Sequence, residues 1–251
     1  MRIALVGRGR LAFSLLPALQ RAGHEVVSVN SRTLAELPQD ADVCIISVKD
    51  SALQEVISQV ACRTASPVFL HTAGSMPMTV FEGHARRYGV FYPMQTFSKE
   101  RQVDFSFIPT FVEASDAATL DIVHTLAASI SQRVYELSTE DRKYLHLAAV
   151  FACNFANHCY AMSAELLEKH GLPFDVMLPL IDETARKVHE LHPRQAQTGP
   201  AVRYDENVIR MQSELLAEKP ELQRIYLQLS DNIHQYAGQQ ALETNHSENH
   251  D

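Results

Sequence analysis

Apolar residues in the first half of the chain fall in short runs separated by stretches of helical spacing. Ile3-Ala4-Leu5-Val6 is an uninterrupted apolar run, the mark of a strand buried on both faces. Leu11, Leu15, Ala18, Leu19 and Ala22 then recur at helical intervals, and Gly23 follows where a left-handed cap is usual. Strand-like runs return at Glu25–Val29, Asp42–Val48, Pro67–His71, Gly89–Tyr92, Thr110–Glu113 and Arg133–Glu136. Between them Leu53, Val56, Ile57 and Val60 form a second helical stripe, for which Asp50 is the expected cap, and a third helix is predicted from about Asp116 to Ile130. Alternation of this kind predicts a parallel sheet covered by helices on both faces.

The pattern changes near Ser138, where Ser138-Thr139-Glu140-Asp141 offers helix-start chemistry. No Pro or Gly interrupts the chain from there to Gly171, which predicts one long helix, apolar enough for burial on several sides. Further helices are predicted at about Pro173–Leu191, Asp205–Ala217 and Pro220–Gln239, with a loop over His192–Arg203 and a polar tail over Glu243–Asp251. The expected division is therefore an α/β domain over residues 1–137 and an all-helical domain over residues 138–251.

Composition narrows the class of function. The 251 residues are 46% hydrophobic and 21% charged, with a formal net charge of −8, the balance of a globular protein with no general affinity for nucleic acid. No apolar stretch is long enough to span a membrane, and the N-terminus moves straight into a strand-like run with no secretory pattern. The four cysteines contain no CxxC pair and read as reduced, mostly buried thiols in a cytoplasmic protein. His246 and His250 in the tail read as solvated rather than as metal ligands, and no metal is expected.

The chemistry begins at residue 7. Gly7-Arg8-Gly9-Arg10-Leu11-Ala12 fits G-x-G-x-x-A between a strand and a helix, the dinucleotide-binding fingerprint of the Rossmann fold. The first glycine permits the turn, the second lets a pyrophosphate approach the backbone, and Ala12 keeps helix and strand close. At the end of the second strand, where NAD sites commonly carry a carboxylate, the chain has Asn30-Ser31-Arg32-Thr33. A guanidinium fork and two hydroxyls suit a 2′-phosphate, so NADP(H) is the expected cofactor. A solvated Arg32 and a capping Ser31 are the alternative. Ser47 and Val48, ending the third strand, and His71 and Thr72, ending the fourth, are expected along the same cofactor edge, with Ser75 and Gln95 facing substrate.

Lys143, His146, Asn154 and Asn157 are polar residues within the long apolar helix. Residues eleven apart nearly coincide on an α-helix, which would pair Lys143 with Asn154 and His146 with Asn157. His146 or Lys143 would protonate a carbonyl oxygen or imine nitrogen, and an asparagine would orient the substrate. Arg203 suits a substrate carboxylate, and Asp205 a helix cap.

GRGRLA, SVNSR, ISVKDSAL, HTAGSM, YPMQTFS, LHLAAVFACNFANHCY and TGPAVRYD together resemble a bacterial family that joins a Rossmann-like NADP-binding domain to a short helical domain of unknown function. The wider architecture is similar to pyrroline-5-carboxylate reductase, 6-phosphogluconate dehydrogenase and ketopantoate reductase. That resemblance implies hydride transfer to or from a small-molecule substrate, and a homodimer with a helical interface. It also implies a lysine followed four residues later by asparagine in the hydroxyacid dehydrogenases. Here Leu147 stands at that distance from Lys143, so His146 with Asn154 or Asn157 is the expected substitute. The expected function is an NADP(H)-dependent oxidoreductase of a carbonyl or imine acid. The alternative is a non-catalytic NADP(H) sensor or regulatory protein.

Overall fold

A computed structural model describes residues 1–247, with side chains through residue 239. Two compact units divide at Phe155/Ala156. The first is built on a seven-stranded sheet: β1 (Arg2–Val6), β2 (Glu25–Val29), β3 (Val43–Ile46), β4 (Val68–His71), β5 (Tyr88–Pro93), β6 (Thr110–Ala114) and β7 (Val134–Glu136). Their order is β2-β1-β3-β4-β5-β6-β7. β1 to β5 are mutually parallel, whereas β6 runs antiparallel to β5, Tyr92 lying opposite Phe111, and β7 is parallel to β6. The expected parallel sheet is present, with β5–β6 its one antiparallel pairing. The reversal follows from the connection: β5 returns through the irregular stretch 94–109 rather than through a crossover helix, so its partner runs the opposite way.

Period-two alternation sends β1 side chains to opposite layers. Ile3 and Leu5 join Leu15 and Leu19 of α1 (Arg10–Arg21) and Val123 and Leu126 of α3 (Ala117–Ala128). Ala4 and Val6 join Leu53, Val56, Ile57 and Val60 of α2 (Asp50–Ala61). Gly23, at φ +86°, closes α1 as expected. Asp116 caps α3 by accepting from Thr119 N–H. The expected cap of α2 is corrected. Lys49 is the residue before the helix, and Asp50 is its first residue, with its carboxylate turned to Ser75.

Beyond Ser138, which caps by accepting from Asp141 N–H, the long helical stretch is not one α-helix. α4 (Thr139–Ala149) passes into a π-helix over Val150–Phe155, and α5 (Ala156–Glu168) follows. A π turn holds more residues than an α turn, so the eleven-residue coincidence assumed for Lys143 with Asn154 does not hold, and Asn157 falls in the second unit. Nor is this stretch buried on several sides: Tyr144 is 68% exposed, Phe151 62% and Leu147 51%. Cys44 is buried, while Cys62, Cys153 and Cys159 are exposed, which corrects the expectation of mostly buried thiols; all four are unpaired.

The second unit is helical: α5, α6 (Leu178–Glu190), α7 (Pro193–Ala196), α8 (Pro200–Arg203), α9 (Glu206–Leu215) and α10 (Pro220–Ser247). Lys169 pairs with Glu218 at 2.8 Å, which ties the end of α5 to the turn before α10. The segment His192–Arg203 contains two short helices rather than a plain loop, each started by a proline at its first position. Asp205 caps α9 as its residue type suggests. α10 carries the first part of the expected polar tail to Ser247; His250 lies outside the described residues.

Candidate dinucleotide and catalytic edge

Carboxyl ends of β1, β3, β4 and β5 line one edge of the first unit, the side on which open α/β sheets bind ligands. Gly7 adopts φ +123°, and a β-carbon there would stand 2.0 Å from the Ser47 carbonyl oxygen. The turn therefore packs directly on the end of β3, and only glycine fits. Gly9, at φ −74°, precedes α1 with open space where a side chain would be. No side chain caps α1, which leaves its first amide N–H groups directed outward beside the Gly7–Gly9 turn, as an anion site requires. Arg8 and Arg10 are exposed there, Leu11 is half-buried, and Ala12 is buried against the sheet.

At the β2 end, the Arg32 N–H donates to the Asn30 side chain at 3.0 Å, folding residues 30–33 into a tight turn. Arg32 and Thr33 are exposed and Ser31 is half-buried. A carboxylate does lie near: Glu36 accepts from Arg8 at 3.3 Å. Spacing along the chain hid it, because Glu36 sits beyond the turn and returns toward the glycine loop.

Further along the edge, the Thr72 hydroxyl donates to the Ser47 hydroxyl at 3.1 Å, joining the ends of β3 and β4. Val48 is half-buried against the second core layer. His71 departs from its expected role. Its ring is fully buried and stacked on Phe81, Nδ1 accepts from Ala73 N–H at 3.1 Å, and Nε2–H donates to the Pro77 carbonyl at 3.3 Å. Both nitrogens are thus satisfied within the protein, and the side chain is not presented to a ligand. Burial, with Arg142 nearby, pushes its pKa down from 6.5 to about 3.

His71 is consequently neutral when folded and basic when unfolded. Its contribution to stability is complete above pH 6.5 and declines as pH falls toward 3. At pH 5 the loss attributable to this residue is about 2 kcal/mol. Urea unfolding of wild type and His71→Gln at pH 7.5 and pH 5 measures it: the stability gap between the two proteins should narrow at pH 5. An unchanged gap would refute the assignment.

Beside Thr72 the turn closes on a pair of side chains. A β-carbon on Gly74 would stand 2.6 Å from His146 Nδ1 and 2.9 Å from Tyr92 Cζ. The Tyr92 hydroxyl and His146 Nδ1 are 3.0 Å apart. Tyr92 is the penultimate residue of β5, and His146 is on α4. Burial raises the Tyr92 pKa, Arg142 opposes that shift, and Asp50 and Cys153 add to it. The Ser75 hydroxyl donates to Asp50.

A buried ion pair holds α4 in place. Arg142, 1% exposed, donates to Glu113 of β6 and to the Met76 carbonyl, each at 2.5 Å. Glu113 also accepts from the Thr139 N–H and hydroxyl at 2.8 and 2.7 Å.

The structure thus gathers Gly7, Gly9, Ser47, Thr72, Ser75 and His146 along one edge of the first unit. Lys143 is exposed and paired with Glu140 at 3.4 Å. Gln95 is exposed and accepts from Thr96 N–H. Asn154 is exposed in the π segment, and Asn157 and Arg203 are exposed within the second unit. Arg142 and Glu113 are residues that the sequence reading did not single out, and Tyr92 it placed at the cleft only as part of the strand end Tyr92–Phe97. For Tyr92 the signal was its place at the carboxyl end of a strand. For Arg142 there was none: its helical neighbours are polar and exposed, and nothing in the sequence marks it as the buried residue of α4.

Fold and edge define a Rossmann-type dinucleotide-binding unit followed by an all-helical unit. The chain belongs to the family of the domain of unknown function DUF2520, which matches residues 108–233. A solved Bacteroides fragilis protein, provisionally named an NADP oxidoreductase, is 49% identical over 93% of this chain and 98% of its own, with a TM-score of 0.87. A Thermotoga maritima protein is 20% identical over 95% of this chain and 99% of its own, with a TM-score of 0.71. An imine reductase from Streptomyces aurantiacus is 12% identical over 96% of this chain and 99% of its own, with a TM-score of 0.61. The last two share the fold. No curated protein matches the chain. Among the described residues, no helix is long and apolar enough to cross a membrane, and no cluster of side chains could hold a metal ion.

Proposed function

We propose that this protein is an NADP(H)-dependent oxidoreductase acting on a small carbonyl or imine acid. The observation that carries the reading is the Gly7 turn, pressed on the Ser47 carbonyl and opening directly into an uncapped helix. A β-carbon cannot enter at Gly7, and open space remains at Gly9, the arrangement a pyrophosphate needs to reach backbone N–H groups. The residues present therefore fit the cofactor. The 49% identical relative named for NADP oxidoreduction supports the same choice. Gly7, Gly9 and the first turn of α1 would hold the pyrophosphate, and Arg32 with Ser31 and Thr33 the 2′-phosphate. When bound, NADPH supplies a hydride. Ser47, Thr72 and Ser75 offer hydroxyls along the remainder of the edge.

Calorimetric titration with NADPH and NADH tests this. NADPH should bind at least tenfold more tightly, since a charge-assisted contact to a phosphate contributes about 1.5–3 kcal/mol. Arg32→Ala should remove most of that preference and leave NADH affinity unchanged. Equal affinities in the wild type, or an unaltered preference in the variant, would overturn the assignment of Arg32.

A further inference from the structure

We propose that the Tyr92 hydroxyl is the proton donor of the reduction, and that His146 is the residue that returns a proton to it. The proposal rests on the oxidoreductase reading above.

Three observations carry it. The first is the bond itself: Oη and Nδ1 at 3.0 Å, with the rings edge to face at 6.1 Å between centroids. The second is how firmly the pair is held. Gly74 leaves no room for a methyl group between the turn and the two rings, and Arg142 fastens α4 both to β6 and to the Met76 carbonyl that follows the turn. The third is position. Tyr92, the penultimate residue of β5, lies beside the turn that follows β4, on the edge that also carries the glycine loop, Ser47 and Thr72. Half-burial of Tyr92 leaves part of the residue open.

Other titratable groups fit the role less well. Both ring nitrogens of His71 are occupied. Lys143 is exposed and held by Glu140. The Asp50 side chain is already engaged as the acceptor of the Ser75 hydroxyl. The groups that act on the phenol are Asp50 from α2, Arg142 and His146 from α4, and Cys153 from the π segment. Burial is the largest influence and keeps the phenol protonated, the form a donor must have.

The step balances as follows. Bound NADPH would supply a hydride to the carbon of a C=O or C=N group, whose π electron pair would move to oxygen or nitrogen. The Tyr92 O–H bond breaks, and its proton goes to that atom. His146 gives its Nδ1 proton to the phenolate and regains a proton from solvent. The substrate gains a hydride and a proton, and the nicotinamide is oxidised.

The test uses glyoxylate as a carbonyl acid and 1-pyrroline-2-carboxylate as an imine acid, with NADPH affinity measured alongside by titration. Wild type should reduce at least one probe. Tyr92→Phe should lower kcat roughly a hundredfold or more while NADPH affinity stays within about twofold. His146→Gln should cost less, lowering kcat while KM and NADPH affinity stay within about twofold. Gly74→Ala keeps both groups but displaces them, and should lower kcat with NADPH affinity intact. In the ligand-free protein, the His146 imidazole nitrogen resonances should shift in Tyr92→Phe. A Tyr92→Phe variant within about threefold of wild type, or a wild type that binds NADPH and reduces neither probe, overturns the proposal. A folded wild type that binds no NADPH brings down the oxidoreductase reading and this proposal together.

Discussion

Gly7→Ala is expected to abolish dinucleotide binding and to destabilise the first unit by about 3 kcal/mol or more. Two costs add. The backbone stands at φ +123°, where an L side chain is strained, and the new β-carbon would meet the Ser47 carbonyl at 2.0 Å. Neither side can yield cheaply. Gly7 N–H donates to the Val29 carbonyl at 2.9 Å, and Ser47 N–H donates to the Val6 carbonyl at 2.8 Å, so both strand ends are tied into the sheet. Gly9→Ala separates binding from folding. Its φ of −74° suits alanine and nothing lies within 4 Å of the added carbon, so stability should change by no more than about 1 kcal/mol, the usual cost at a helix cap. NADPH affinity should nevertheless fall, because the methyl would stand where the phosphate approaches. Urea unfolding together with NADPH titration of both variants decides the matter. Wild-type affinity in both would show that the glycine loop does not bind the cofactor.

Arg142→Met should cost about 3–5 kcal/mol, because it strands the Glu113 carboxylate in a largely buried site. The second change Glu113→Gln in the same chain should recover much of that loss, since the stranded charge is removed. The Thr139 N–H would still donate to the amide oxygen, and the amide NH2 would donate to the Thr139 hydroxyl in place of the second carboxylate oxygen. Denaturant unfolding of wild type, both single variants and the double variant yields the coupling directly. A single-variant loss below about 1 kcal/mol would mean that the pair does not hold α4 to the sheet.

Much of the first unit was legible because its signals are local. Apolar runs and helical stripes placed the strands and the helices α1 to α3, and the glycine spacing placed the cofactor loop between β1 and α1. The reversal of β6 was not legible, since a run such as Thr110–Glu113 has the same period whichever way its neighbour points. The π-helix over Val150–Phe155 is a slip in hydrogen bonding, and hydropathy carries no mark of it. His71 reads as a site residue from its place at a strand end. Only the packed structure shows Ala73 and Pro77 occupying both nitrogens. Tyr92 and His146 are 54 residues apart and meet through the packing of α4 against the sheet, which no spacing rule reveals.

Between β2 and β3 the chain runs from Asn30 to Asp42 without a regular element. Leu34, Leu37 and Ala41 anchor this stretch in the second core layer, and the Thr64 hydroxyl donates to the Pro38 carbonyl. Arg32, Thr33 and Glu36 alternate with those anchors and face outward. Outward-facing polar residues and residues that maintain the fold are thus interleaved but chemically separate. Substitutions at the outward positions carry little folding penalty. On the proposed assignment of Arg32 and Thr33, the preference for one dinucleotide over another is open to drift and to directed evolution, while the sheet beneath it remains under strict constraint.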